Sequence, residues 1–148
     1  MQEKKILIAC DHGGFTLKET LKSYLQKKGL EVLDCGTKSA ESVNYPDFAR
    51  VLVKGIKAKK ATRGILICTS GIGMSIAANR YPFIRAALVH NPELAHMARS
   101  HNDANVLVFG ANYIKPAVAK KCVDEFLTTA FEGGRHTCRV KALGRMGK

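Results

Sequence analysis

The feature that most constrains this chain is an alternation, five times over, of a short apolar run with a stretch whose apolar residues recur at helical spacing. The apolar runs cover 5–10, 31–35, 64–68, 85–89 and 105–109. Runs this short and this uniformly apolar suit strands covered on both faces. After the first run, Leu17, Leu21, Tyr24 and Leu25 form one stripe; after the second, a helix expected from about residue 47 buries Phe48, Val51, Leu52, Gly55 and Ile56. A short helix with Met74, Ile76, Ala77 and Ala78 follows the third run, and one from Pro92 to about Ser100 follows the fourth. A long helix over 115–131, stopped by Gly133 and Gly134, follows the fifth. Strands alternating with helices in this way predict a doubly wound α/β protein, a parallel five-stranded sheet with helices on both faces. Residues 1–148 are read as one domain, with a basic C-terminal segment at about 133–148.

The chain carries 24 Lys and Arg against 12 Asp and Glu, a formal net charge of +12, and the excess is local. Arg50, Lys54, Lys57, Lys59, Lys60 and Arg63 form one acid-free stretch, and Arg135, Arg139, Lys141, Arg145 and Lys148 lie in another. The other 13 basic residues nearly balance the 12 acidic ones, so a neutral body carries two basic segments. Such segments suit nucleic acid, an anionic small molecule or plain solvation. The first run is expected on a helix's solvated face and the loop after it. Neither run interleaves with aromatics or matches a nucleic-acid motif, so no nucleic-acid partner is expected.

No apolar run nears the roughly 20 residues needed to span a bilayer, and the apolar stretch near the start is too short for a secretion-signal core. A cytoplasmic protein without membrane contact is expected. The cysteines at 10, 35, 68, 122 and 138 are odd in number with no CxxC spacing, which predicts reduced thiols. No metal-ligand motif is present, and neither a metal nor a cofactor is expected.

Open parallel sheets bind ligands beyond the carboxyl ends of their strands. Asp11 and His12 follow the first strand, and Cys68, Thr69, Ser70, Gly71, Ile72 and Gly73 follow the third. His101 and Asn102 precede the fifth strand and so belong at the opposite edge of the same protomer; they reach the first group only if a second copy brings them. The TSGIG segment could present backbone N–H groups to an anion or could be a tight turn. It is neither a Walker A loop nor a full GxGxxG, because no Lys follows it and Ile76 takes the third glycine's place. Cys68 could be a reactive thiol at a helix start or a small buried hydrophobe. Asp11 and His12 suit an acid/base pair or a helix cap. Arg135 and Arg139 share a face if their segment is helical, either clamping a phosphate or facing solvent.

Taken together, CDHGGF near the start, ICTSGIGMSIAANR at the third strand, HNDANVLVFG around the fifth and EGGRH in the tail resemble the ribose-5-phosphate isomerase B family. That family also contains galactose-6-phosphate and allose-6-phosphate isomerases. The resemblance is collinear over nearly the whole chain. It implies a three-layer Rossmann-like sandwich, a homodimer or tetramer with sites shared between protomers, and cofactor-free interconversion of ribose 5-phosphate and ribulose 5-phosphate. By the same resemblance, Cys68 stands where the catalytic base stands. Met74 occupies the place where some members use a Glu. Ser70 and the backbone of Thr69, Gly71, Ile72 and Gly73 would stabilise an enediolate. His101, assisted by Asp11, would open the sugar ring; His12, Arg135 and Arg139 would grip the phosphate. Asn102 would contact a substrate hydroxyl, and Tyr45 would line the cleft. Asn112 departs from the pattern, since several members carry an Arg there.

Overall fold

The computed structural model describes residues 4–147. In chain order its elements are β1 (Lys5–Cys10), α1 (Phe15–Lys27), β2 (Glu31–Asp34), α2 (Tyr45–Lys57), β3 (Gly64–Cys68) and α3 (Ile72–Ala78). They continue with β4 (Ala86–Leu88), α4 (Pro92–Asn102), β5 (Val106–Gly110), α5 (Pro116–Thr128) and α6 (Thr137–Arg145). All the strand pairs are parallel, in the order β2-β1-β3-β5-β4. This is the expected α/β, Rossmann-like architecture.

Because side chains alternate along a strand, each central strand supplies both faces of the sheet. Ile6, Ile8, Cys10, Ile65, Ile67, Leu107 and Phe109 pack with Leu21 and Leu25 of α1, Ala95 of α4 and Phe126 of α5. Leu7, Ala9, Leu66, Cys68, Val106 and Val108 pack with Leu52 and Val53 of α2 and Met74 of α3. The chain runs from β1 to β2 on one side and then back to β3 on the other. The loops after β1 and β3 therefore lead to helices on opposite faces of the sheet, and the carboxyl edge between those helices is where open parallel sheets bind ligands.

Several boundaries differ from the sequence expectation, each for a local reason. Chain direction changes after Asp34 because its carboxylate accepts the Gly36 N–H at 2.9 Å, so β2 stops before Cys35. Helix α2 opens at Tyr45, with Asn44 in the N-cap position making no side-chain cap bond and Pro46 in the first turn, where a missing N–H costs nothing. Its buried residues are Ala49, Leu52, Val53 and Gly55, whereas Val51, expected inside, is 49% exposed. Strand β4 is shorter than 85–89, since the Arg85 N–H goes to the Asn105 side chain at 2.7 Å.

Helix α4 runs past Ser100 to Asn102 and stops where Asp103 turns left-handed (φ 49°), with the Ala104 N–H returning to the Ala98 carbonyl at 2.9 Å. Helix α5 ends at Thr128 rather than 131: Thr129 is extended, and its carbonyl accepts from Arg99 Nε at 3.2 Å. The first basic run is not uniformly solvated either. Arg63 donates to the Phe126 carbonyl and lies 5.6 Å over the Phe126 ring, closing the end of α5. No described helix is long and apolar enough to cross a membrane.

Candidate active site

At the carboxyl edge, the turn after β3 packs against the turn after β1 on one side and the end of β5 on the other, without room for added side chains. A Cβ on Gly13 would lie 2.1 Å from Thr69 Oγ1, and one on Gly110 would lie 2.3 Å from the Ser70 carbonyl oxygen. Asp11, 6% exposed, accepts the Gly13 N–H at 2.9 Å, while His12 Nδ1 accepts the Val43 N–H at 3.2 Å. Asp11 thus caps its turn and still sits beside β3, donating its own N–H to the Ile67 carbonyl at 3.2 Å.

Cys68 closes β3 and is 5% exposed. Gly71 adopts φ 80°, a conformation open mainly to glycine, and this aims its N–H at Cys68 Sγ from 3.2 Å. The Ile72 N–H points to Ser70 Oγ at 3.2 Å, and the Thr69 carbonyl accepts from the Asn112 N–H at 3.1 Å. The turn therefore holds a thiol, a hydroxyl and backbone donors within a few residues, the Gly71 N–H aimed at the buried thiol and the Ile72 N–H at the exposed hydroxyl. Asn112 is beside this turn. The Tyr45 ring covers Gly73, where an added Cβ would lie 2.6 Å from ring atoms. A cleft of about 300 Å³ there is lined by Tyr45, Ala49, Arg50, Gly73, Ile76 and Arg80.

The opposite edge holds the remaining candidates. His101 and Asn102 form the last turn of α4, and Arg135 and Arg139 sit in the tail that folds back against it. That tail is a 3-10 turn, Gly134–His136, running into α6, so Arg139 lies in the α-helix while Arg135 lies in the tighter turn before it, and the pair does not occupy one α-helix as the shared-face reading required. The Glu132 N–H donates to the Ser100 carbonyl at 2.9 Å, and Gly133 and Gly134 take φ 70° and 54° to turn the chain there. A cavity of about 610 Å³ at this end includes Asn102, Arg80, Arg85, Leu143 and Met146 in its wall.

The two groups do not meet within one protomer. Cys68 pairs with Gly110 and Gly64 with Val106, so four residues of parallel strand, roughly 13 Å, separate the edges. Asp11, His12, Cys68, Thr69, Ser70, Gly71, Ile72 and Gly73 come together at one edge. His101, Asn102, Arg135 and Arg139 come together at the other.

Two neighbours of His101 had no role in the sequence reading. The His136 ring stacks on that of His101, with centroids 4.3 Å apart and planes 17° from parallel. Glu132 lies 3.8 Å from His101 Nε2 and 3.9 Å from His136 Nε2. Both stand in the EGGRH segment, but an interaction across some 30 residues leaves no mark in local spacing. Potential ligand atoms of His101, Glu132 and His136 lie within 4.8 Å of one another. Imidazole lone pairs lie in the ring plane, so rings this close to parallel point them side by side rather than at one ion.

The chain compares closely with known proteins. The Ribose/Galactose Isomerase family model matches residues 6–143. Ribose-5-phosphate isomerase B of Escherichia coli is 44% identical over 140 residues, which cover 95% of this chain and 94% of that one. The crystal structure of a ribose 5-phosphate isomerase from Thermotoga maritima superposes with a TM-score of 0.94 at 52% identity, covering 96% of this chain and 98% of that one. Ribose-5-phosphate isomerase B of Mycoplasma genitalium, solved with bound ribulose-5-phosphate, matches at TM-score 0.90 and 38% identity, covering 95% and 94%. With its strand-end motifs, sheet order and near full-length matches in agreement, the chain belongs to the Ribose/Galactose Isomerase family.

Proposed function

We propose that this chain interconverts D-ribose 5-phosphate and D-ribulose 5-phosphate, and that the two edges of its sheet are halves of one site completed by a second copy. The activity follows from the family and from relatives of the same fold named for that reaction. The residue assignment is supported by one observation: a buried thiol, Cys68, ends a strand and receives the Gly71 N–H of the turn that follows.

Cys68 removes the C2 proton of the open-chain aldose and returns it at C1. Ser70 and the backbone of Thr69–Gly73 stabilise the enediolate formed between these steps, the charge for which prearranged donors are most effective. His101 of the partner subunit protonates the ring oxygen as the furanose opens, while Asp11 takes the proton of the C1 hydroxyl. His12 holds the phosphate with Arg135 and Arg139 of the partner subunit, and the partner's Asn102 contacts a hydroxyl. Tyr45 walls the cleft. Binding energy from the remote phosphate keeps the reacting carbons in place. Every step is acid–base chemistry, for which these side chains suffice without a cofactor. The assembly is a homodimer or a tetramer built from it, working in the cytoplasm, and a nucleic-acid role is not favoured.

The test compares kcat/KM on ribose 5-phosphate, allose 6-phosphate and galactose 6-phosphate for the wild type and Cys68→Ser. The pentose phosphate is expected to be the best substrate, and Cys68→Ser to melt normally while losing roughly a hundredfold or more in turnover. Higher efficiency on either hexose phosphate overturns the substrate, and wild-type turnover in the variant overturns the base.

A further inference from the structure

Two groups packed against His101 have no part in the mechanism above. His136 is 7% exposed, and its Nε2 is buried without a hydrogen-bond partner. Such an atom is costly to keep, and its retention points to a role. Burial, then the neighbouring His101 and Arg135, push the His136 imidazole below its ordinary pKa; Glu132 opposes this and Arg139 adds to it. These influences favour the uncharged ring. A neutral aromatic face tolerates a cation stacked on it, whereas two stacked cations would repel. Glu132, 56% exposed, spans both rings with its two carboxylate oxygens. It is held over the end of α4 by its own N–H bond to Ser100 and by the left-handed glycines that follow.

We propose that Glu132 and His136 are positioning residues for His101: the His136 ring fixes the plane from which His101 delivers its proton, and the Glu132 carboxylate balances the charge on that donor. The inference rests on the isomerase reading above. In the step concerned, the proton on His101 passes to the ring oxygen as the bond from C1 to that oxygen breaks, its electron pair staying on the oxygen. The C1 hydroxyl proton leaves to Asp11, and the aldehyde forms. Arg135 and Arg139, which also face the pair, are left to the phosphate.

Ring opening can be separated from proton transfer at carbon. Ribulose 5-phosphate cannot close a furanose because its 5-hydroxyl is esterified, so exchange of its C1 hydrogen with deuterium oxide needs Cys68 but no ring chemistry. Turnover of ribose 5-phosphate needs both. His136→Ala and Glu132→Gln are expected to slow ribose 5-phosphate turnover roughly tenfold or more, with C1 exchange from ribulose 5-phosphate changed by no more than about twofold. His136→Phe, which keeps a flat ring in the stack, is expected to restore most of the turnover lost in His136→Ala. Equal loss of both reactions in a normally melting Glu132→Gln, or no loss in either, overturns the inference. Should His136→Ala fail to fold, the exposed Glu132→Gln carries the test. A wild type that neither exchanges nor isomerises these substrates overturns the isomerase reading instead.

Discussion

Lys18 is 1% exposed, yet its side chain ends in an ion pair. Its ammonium donates to both oxygens of Asp34, at 2.8 and 2.7 Å, and to the Thr37 carbonyl at 2.7 Å. This pins α1 to the end of β2 and to the loop that goes on to bond His12 through Val43. Burial alone would raise the Asp34 carboxyl, but hydrogen bonds from Lys18, the Gly36 N–H and Lys22 outweigh it and hold the pKa below its ordinary value. A carboxylate with a lowered folded pKa contributes stability above the usual carboxylate range, and that contribution is lost as pH falls through the folded value. Asp34→Asn is expected to cost about 3 kcal/mol at neutral pH by leaving the buried Lys18 ammonium with the Thr37 carbonyl and only the longer pair to half-exposed Glu19 at 3.5 Å. Urea denaturation at pH 7 and again near the folded pKa should show the gap between wild type and variant closing on acidification; a gap independent of pH would refute the assignment. In the sequence, Lys18 is one more polar residue between the apolar positions of α1. Only the approach of β2 makes it internal.

At the level of elements, the turn joining β3 to α3 shapes the surroundings of Cys68. Gly71 combines φ 80° with close neighbours: an added Cβ would lie 2.4 Å from Leu88 Cδ1 and 3.0 Å from the Gly110 nitrogen. Gly134 has φ 54° but nothing within 4 Å of an added Cβ. Gly71→Ala is therefore expected to suffer both strain and collision, a loss of about 2–3 kcal/mol, and to move the N–H aimed at Cys68. Gly134→Ala is expected to lose only about 1 kcal/mol. Thermal melting of the two variants side by side checks this, and equal losses would mean that packing around Gly71 gives way. Glycine-rich sequence announced that a turn stood here. It could not announce which N–H would face the thiol, because that depends on Leu88 and Gly110 closing the turn from neighbouring strands.

For the whole molecule, the decisive fact is that Cys68 and His101 occupy opposite edges of one sheet. If each site takes Cys68 from one protomer and His101 from its partner, then Cys68→Ser and His101→Ala, each nearly inactive, should complement. Refolded as an equal mixture, they should recover about one quarter of wild-type activity, since half of the dimers are mixed and each holds one intact site. No recovery, with mixed dimers demonstrated by differential tagging, would overturn the shared site.

The sequence by itself determined the fold class, because apolar runs buried on both faces and helical stripes between them are compatible with little else than a covered parallel sheet. It also marked two groups of candidate residues at strand and helix ends, where backbone direction is readable from local signals. Tertiary structure alone decided what those residues touch. Lys18 with Asp34, Arg63 with Phe126 and the stacked pair of His101 and His136 all join elements distant along the chain. The packing of elements against one another decides such contacts, and the spacing of residues within an element does not.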